Sequence, residues 1–458
     1  MKSIAQSKPF ENEISSTIDV FFRSFRIGTI LRKVGAYKSK GIPAVTVFQK
    51  LFALVFSHRA LFMELQTGNC PNIAKDTFYR LLNSCNINWM RFTTFLATRI
   101  VNDRLMKLTD EKRVNVFIVD DTPYERNRSK AVELLSRVYD HSKKVYMRGF
   151  RLLTLGWSDG NTFIPVNSCL LSSENSKNRF QEAQDIDKRT CGYRQRQMAQ
   201  GTAPAAMMEM LRFALESGLR ASYVLFDSWF SSPSAILRVK KEKLEVVAMV
   251  KKTPKIHYRY GEKMLPATEI YRQNRKRRGR SKYLLSVEVE VCSSDRSESV
   301  PARLVFVRNR SNRKDYLVLI STDVSLPEEE IIRIYGKRWD IEVFFKVCKS
   351  FLRLTKECRS ISYDAMTAYV AVVFARYMML ALENRGKKDN RTVGILFWKI
   401  CEELPDIAWF EAFQLLMKTF LESVSEKFLL SETELEALYE TFLEALPAPL
   451  KNSLLLCS

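Results

Sequence analysis

The sequence predicts a mixed α/β molecule: a central core of strands and helices carrying a β-rich insertion, flanked by helical amino- and carboxyl-terminal regions. Three observations predict it. Apolar residues at helical spacing fill roughly the first hundred positions. Two short apolar runs, 114–119 and 223–226, each lead into aspartate, as buried strands of an α/β sheet do. Strand-like segments, one strictly alternating (287–291) and two apolar runs, then occupy the stretch from 246 to 322 before helical patterning returns.

In chain order, Val47, Leu51, Leu54, Phe56 and Leu61 mark helix faces in the first region. Residues 75–82 form a short basic amphipathic helix, a candidate for docking on DNA or an ordinary surface helix. The run 114–119 reads as a buried strand ending at Asp120 and Asp121. Strands at 150–157 and 162–171 are joined by Ser158-Asp159-Gly160-Asn161, a hairpin signal. The polar stretch 173–200 reads as a loop, followed by a helix over 207–216 with Gly218 as its cap. The strand 223–226 delivers Asp227. Further strands follow at 287–291, 304–307 and 317–320. The apolar stretch 365–382, interrupted by Arg376, reads as a buried helix rather than a membrane span. Residues 402–444 are rich in Glu with Leu and Phe between, which suits packing or self-association and not DNA contact. These changes of pattern divide the chain into 1–108, a core of 109–245 with 323–385, an insertion of 246–322, and a tail of 386–458.

Charge narrows the partners. The 458 residues carry 73 basic and 51 acidic side chains, a formal +22, which favours a polyanion. The surplus concentrates between Lys251 and Lys282, where the run from Arg275 through Arg277 and Arg278 to Arg280 lies beside Tyr258, Tyr260 and Tyr271. Phosphate-backbone contact is the expectation for that block. Nine cysteines without a C-x-x-C pair and three scattered histidines argue against a zinc site or a disulfide framework. The segment 1–13 is polar and lacks the apolar core of a signal peptide, so the expected setting is cytoplasmic, at the nucleoid, with no membrane partner.

The densest local signal is Tyr335-Gly336-Lys337-Arg338-Trp339-Asp340-Ile341-Glu342, followed by Lys346 and Lys349. Ser325 and Glu328 have capping-box spacing, so a single helix is predicted from there. At 100° per residue, Tyr335, Arg338, Glu342 and Lys349 fall within a stripe of about 60°. A salt-bridged surface face is the ordinary explanation of such a stripe. However, it borders the apolar arc of Ile334, Ile341, Phe345 and Leu352, and two strand-end aspartates exist elsewhere in the chain. Converging carboxylates suit phosphodiester cleavage, in which two hard cations about 4 Å apart activate the nucleophile and neutralise the leaving oxygen. Arg338 and Lys349 then suit flanking phosphates, Tyr335 a phosphate hydrogen bond, and Trp339 an unpaired base.

The spacing Tyr335, Arg338, Glu342, Lys349, with Asp120-Asp121-Thr122 and Leu225-Phe226-Asp227-Ser228-Trp229-Phe230, resembles DDE transposases of the insertion-sequence-four family over roughly residues 110–355. The resemblance implies an RNase H-like catalytic core with a β-rich insertion, acting as a homodimer on double-stranded DNA with Mg²⁺, Mn²⁺ being the substitute. It also implies Asp121, Asp227 and Glu342 as the catalytic metal ligands, Asp121 being preferred to Asp120 because threonine follows it. Tyr335, Arg338, Trp339, Lys346, Lys349, Arg275, Arg277 and Arg278 are the expected DNA contacts. No tryptophan lies between Phe230 and Arg338, where some relatives carry one for base stacking; Tyr258, Tyr260 or Trp339 would have to substitute. The alternatives are an RNase H-fold nuclease without strand transfer, or a DNA-binding relic that no longer cuts.

Overall fold

The computed structural model describes residues 16–66, 73–109, 113–140, 143–277, 281–309, 312, 315–386 and 393–401, with shorter stretches beyond that include the helix Glu432–Ala445. The amino-terminal segment 1–13, Arg278 and most of the acidic tail lie outside the described residues.

One sheet of eleven strands organises the described chain. Its strands are β1 (Val116–Glu125), β2 (Ser136–Asp140), β3 (Val145–Ser158), β4 (Phe163–Leu171), β5 (Tyr223–Phe226), β6 (Glu245–Met249), β7 (His257–Tyr260), β8 (Lys263–Pro266), β9 (Tyr283–Cys292), β10 (Ser299–Arg308) and β11 (Tyr316–Ser321). The order is β2-β3-β1-β5-β6-β11-β10-β9-β7-β8, with β4 on the edge of β3 that β2 also occupies. β1, β5 and β6 run parallel; β3 and β4 fold back on them through the expected hairpin, with Gly160 at φ +89 in its turn. The strand-rich block does not form a separate layer. β6 lies between β5 and β11, so the boundary expected at 246 cuts into a core strand, and β11 to β7 extend the same sheet. Mixed pairing on this scale needs buried, β-branched strands, and Val116 to Val119, Val224 to Phe226 and Val246 to Ala248 are all fully buried.

Helices cover the sheet. The first region is helical as expected: α1 (Thr17–Ser24), α2 (Ile27–Lys33), α3 (Ala44–Ala53), α4 (Leu61–Gln66), α5 (Lys75–Leu82) and α6 (Trp89–Ile100), then a π turn and the short α7 (Met106–Leu108). Phe21, Phe22, Phe48, Phe52 and Phe92 interlock there, with ring centroids 5.0–6.0 Å apart. The expected loop 173–200 instead ends in α8 (Cys191–Ala199), started by the Thr190 cap. Its polar sequence misleads because Arg196 points inward. The guanidinium is buried between Glu133 and Asp364, 2.9 and 2.7 Å away, so its charge is compensated inside the core. α9 (Ala203–Glu216) and α10 (Pro233–Lys241) follow, each with proline in its first turn and a hydroxyl cap. α10 is the crossover between parallel β5 and β6, and α11 (Ala267–Gln273) lies among the later strands.

The carboxyl half of the core is α12 (Glu328–Gly336), α13 (Trp339–Ser350) and α14 (Tyr363–Gly386). α14 is long and apolar enough to cross a membrane, yet 89% of its apolar window is buried. Arg376 within it donates to the Phe52 carbonyl at 2.9 Å and pairs with Glu357, also 2.9 Å away. α14 thus fastens the amino-terminal helices to the sheet. The cysteines among the described residues are all free thiols, as the sequence led us to expect.

Candidate active site

The site begins with strand register. Val119 of β1 pairs with Phe226 of β5, so Asp120 and Asp227 come next on two adjacent parallel strands. β5 ends there, but β1 does not. It runs on through Asp120 and Asp121 to Glu125, held by β3, where Asp120 faces Thr154 and Asp121 faces Leu153. The aspartates therefore lie within a strand, not at its end, and the pleat sends them to opposite faces.

Asp120 takes the face covered by α13. Its Oδ2 accepts a hydrogen bond from Arg338 Nη1 at 2.9 Å, and the other guanidinium nitrogen pairs with Glu342. Two residues along β1 on the same face, Thr122 accepts a 2.6 Å hydrogen bond from Lys349 Nζ. Asp227 accepts from the Trp229 amide at 2.9 Å, and its charge acts on Asp120 and Tyr335. Arg338 links Asp120 to Glu342, Asp227 and Tyr335 lie within electrostatic reach of Asp120, and Lys349 meets Thr122 two residues along the same strand. Asp121 lies outside this arrangement. It faces the other way and pairs with Arg151, whose guanidinium lies 5.0 Å over the Trp229 ring. The reason is alternation: the preference for Asp121 rested on the residue that follows it, and inside a continuous strand the face is set by parity instead.

Burial dominates the electrostatics. It pushes the Asp120 carboxyl from 3.8 to about 7; Asp227 adds to the rise and Arg338 opposes it. The Tyr335 phenol is pushed up to about 12, mainly by burial. The Lys349 ammonium is shifted down by burial.

The predicted single helix is interrupted. Around the Lys337–Arg338 turn the amides of Lys337, Arg338, Asp340 and Ile341 bond three residues back, so the chain tightens between α12 and α13. Lys337 causes this locally: its ammonium reaches the Val114 carbonyl and lies 3.4 Å from that of Asp159. Beside it, Ser158 donates to Asp340 at 2.6 Å. Tyr335 therefore belongs to α12, while Glu342 and Lys349 belong to α13. The expected capping box is also unmade, because Ser325 Oγ donates to Asp323 and Pro327 holds the cap position. Ile334, Ile341, Phe345 and Leu352 are buried as predicted.

Trp339 is 63% exposed and Lys346 is exposed as well. In the basic block Arg275 and Arg277 are exposed, Arg277 lying 4.3 Å over the Tyr283 ring. Tyr258 is fully buried and so offers no face to a base, contrary to the role the sequence suggested for it; Tyr271 stacks on Tyr316 at 4.0 Å, and the Tyr260 hydroxyl donates to Asn274 at 3.0 Å. Sequence reasoning missed Thr122, Arg151, Lys337 and Ser158. The register of β1 against its neighbours was the signal that would have found the first two.

Among the described residues no three His, Cys, Asp or Glu side chains close on one point as a ready metal cage. What stands between Asp120 and Glu342 is the Arg338 guanidinium. The donor chemistry suits a hard divalent cation all the same: the candidate ligands are carboxylates, with no sulfur or imidazole, and one of them, Asp120, is largely buried. The residues fit such an ion by donor type, while in this arrangement the Arg338 guanidinium occupies the space between Asp120 and Glu342.

Seven chains of solved structures match. One is described as the Drosophila P element transposase strand transfer complex, at 12% identity and a TM-score of 0.19, over 55% of this chain and 53% of that one; the chain thus spans about half the length of that transposase. No curated protein matches significantly. A family model described as DDE superfamily endonuclease matches residues 63–313, which takes in β1 with Asp120 and the Asp227 loop and stops short of Glu342. That match spans more than half of the sequence, and the chain belongs to the DDE superfamily endonucleases.

Proposed function

We propose that the chain is a transposase that binds the terminal inverted repeats of a mobile element, cleaves the DNA and joins the exposed 3′-hydroxyl to a target. The observation that carries this reading is the Arg338 bridge between Asp120 and Glu342, with Asp227 following the adjacent parallel strand and Lys349 on Thr122. Two features support it further. The order β4-β3-β1-β5-β6, with β1, β5 and β6 parallel, is what an RNase H-like core would show. The Tyr335, Arg338, Glu342, Lys349 set, the insertion-sequence-four signature, has Arg338 touching both Asp120 and Glu342.

Endonucleases of the DDE superfamily generally use divalent metal ions. In this reading Asp120, Asp227 and Glu342 hold them, with Asp120 taking the place first expected of Asp121; Mg²⁺ is the natural choice and Mn²⁺ the substitute. When bound, such ions would lower the pKa of the attacking water or hydroxyl, so that its proton passes to solvent, and would neutralise charge on the leaving oxygen. Arg338 and Lys349 hold the phosphates flanking the cut, and Tyr335 orients one of them. Trp339 gives an unpaired base a stacking face, and Lys346, Arg275 and Arg277, with Arg278, bind backbone phosphates. The partner is double-stranded DNA, engaged by a homodimer.

The test is a supercoiled plasmid bearing the element's ends, incubated with purified protein and either Mg²⁺ or EDTA. Nicks at the element boundary that need Mg²⁺ and vanish in Asp120→Ala and Glu342→Ala, with Asp121→Ala still cutting, are the expected result. Loss of cutting in Asp121→Ala alone overturns the ligand assignment. Cut ends that never join reduce the protein to a nuclease, and binding without cutting in either Mg²⁺ or Mn²⁺ makes it a relic.

A further inference from the structure

Lys349, bonded to Thr122 beside the carboxylates, also lines a cleft of about 830 Å³ between the amino-terminal helices and the segment joining α13 to α14. One wall carries Arg353, Lys356 and Arg359; the other carries His58 and Phe62, and Trp398 of the helix 393–401 closes the end. The acid in the lining, Glu357, is taken up by buried Arg376, so the cleft presents cations without a competing carboxylate. Its rings are open. Phe62 is 58% exposed and Trp398 is 52% exposed, with the His58 ring 5.3 Å from the latter. The walls join where Arg353 Nη2 donates to the His58 carbonyl at 3.3 Å. Both of those residues have left-handed backbones, at φ +54 and +56, a conformation that side-chain-bearing residues adopt only at a cost. Strain of that kind concentrates where a binding surface must be held in shape.

We infer that this cleft binds a single-stranded polynucleotide, continuous through Lys349 with the carboxylate site. The cations alone would suit any polyanion. The rings select among polyanions, because a duplex hides the faces of its bases and an unpaired strand offers them for stacking. The inference rests on the DNA-processing role proposed above and adds that an unpaired stretch of the DNA, beyond the duplex part, runs through this cleft.

The full-length protein in EDTA, where nothing is cut, is titrated into a dye-labelled oligothymidylate of about 20 nucleotides and into an abasic oligomer of equal length, and anisotropy is read. Oligothymidylate is expected to bind about tenfold more tightly, the size of one stacked base. Trp398→Ala should erase that preference, while Lys356→Ala with Arg359→Ala weakens both oligomers and lowers the salt slope by about 0.7 for each phosphate no longer neutralised. All three side chains are exposed, and an unchanged thermal midpoint controls for folding. Equal binding of the two oligomers by wild type, or a preference that survives Trp398→Ala, overturns the assignment. Because the titration involves no cleavage, that failure is distinguishable from failure of the plasmid assay, which tests the catalytic reading alone.

Discussion

Arg338 and Asp120 set the character of the site one side chain at a time. Asp120 titrates near 7 in the folded protein and near 3.9 in an unfolded chain. The folded state keeps a proton that the unfolded state releases across that window, so stability falls as pH rises from about 4 to about 7. Asp120→Asn should remove this slope. At about pH 8 without metal the variant should melt higher than wild type, by at most about 1.4 kcal/mol for each pH unit separating those two titration points, while cleavage is abolished. A midpoint no higher than wild type means that Arg338 already offsets the buried charge. Arg338 itself neutralises the acids that the proposed cation would claim. Arg338→Ala should therefore bind Mn²⁺ more tightly in calorimetry yet cut more slowly, having given up its hold on phosphate. Weaker Mn²⁺ binding in the variant would show that the arginine assembles the acids rather than competing for them.

At the scale of elements, the turn between α12 and α13 depends on one ammonium group. Lys337→Ala removes its hydrogen bonds to the Val114 and Asp159 carbonyls, at a cost of about 1–3 kcal/mol for the partners left buried. Thermal unfolding should show the loss, and cleavage should fall more than stability does because α13 carries Glu342. Equal stability and activity would relieve Lys337 of that role. The elements were largely legible: strands 223–226 and 304–307, the hairpin at Ser158–Asn161 and helix 75–82 follow from alternation, apolar runs and turn chemistry. Two were not. α8 reads as loop because the partners of Arg196 lie 63 and 168 positions away. The tightened turn at Lys337 reads as continuous helix because its acceptors, the Val114 and Asp159 carbonyls, come from the lead into β1 and from the hairpin, far away in sequence. The choice between Asp120 and Asp121 was hidden for the same reason: it depends on where β1 stops, and β3 decides that.

At the scale of the whole molecule, a buried arginine on α14 adds a polar tie between the amino-terminal helices and the core. Arg376→Met leaves Glu357 uncompensated and should cost about 3–5 kcal/mol, read by chemical denaturation. The double variant with Glu357→Gln should recover part of that loss; a double variant as unstable as the single one would place the cost in the missing hydrogen bonds to the Leu51 and Phe52 carbonyls instead. The continuation of β1 beyond the end of β5 has a further consequence. Asp120 is mounted on a backbone whose hydrogen bonds are already satisfied by β3, so filling or emptying the site requires no strand to move. Readiness is then a matter of side-chain torsions on one arginine, fast beside any domain motion. Amide exchange along β1 should stay as slow in the charged state as in the empty one, with the switching confined to the tip of a guanidinium.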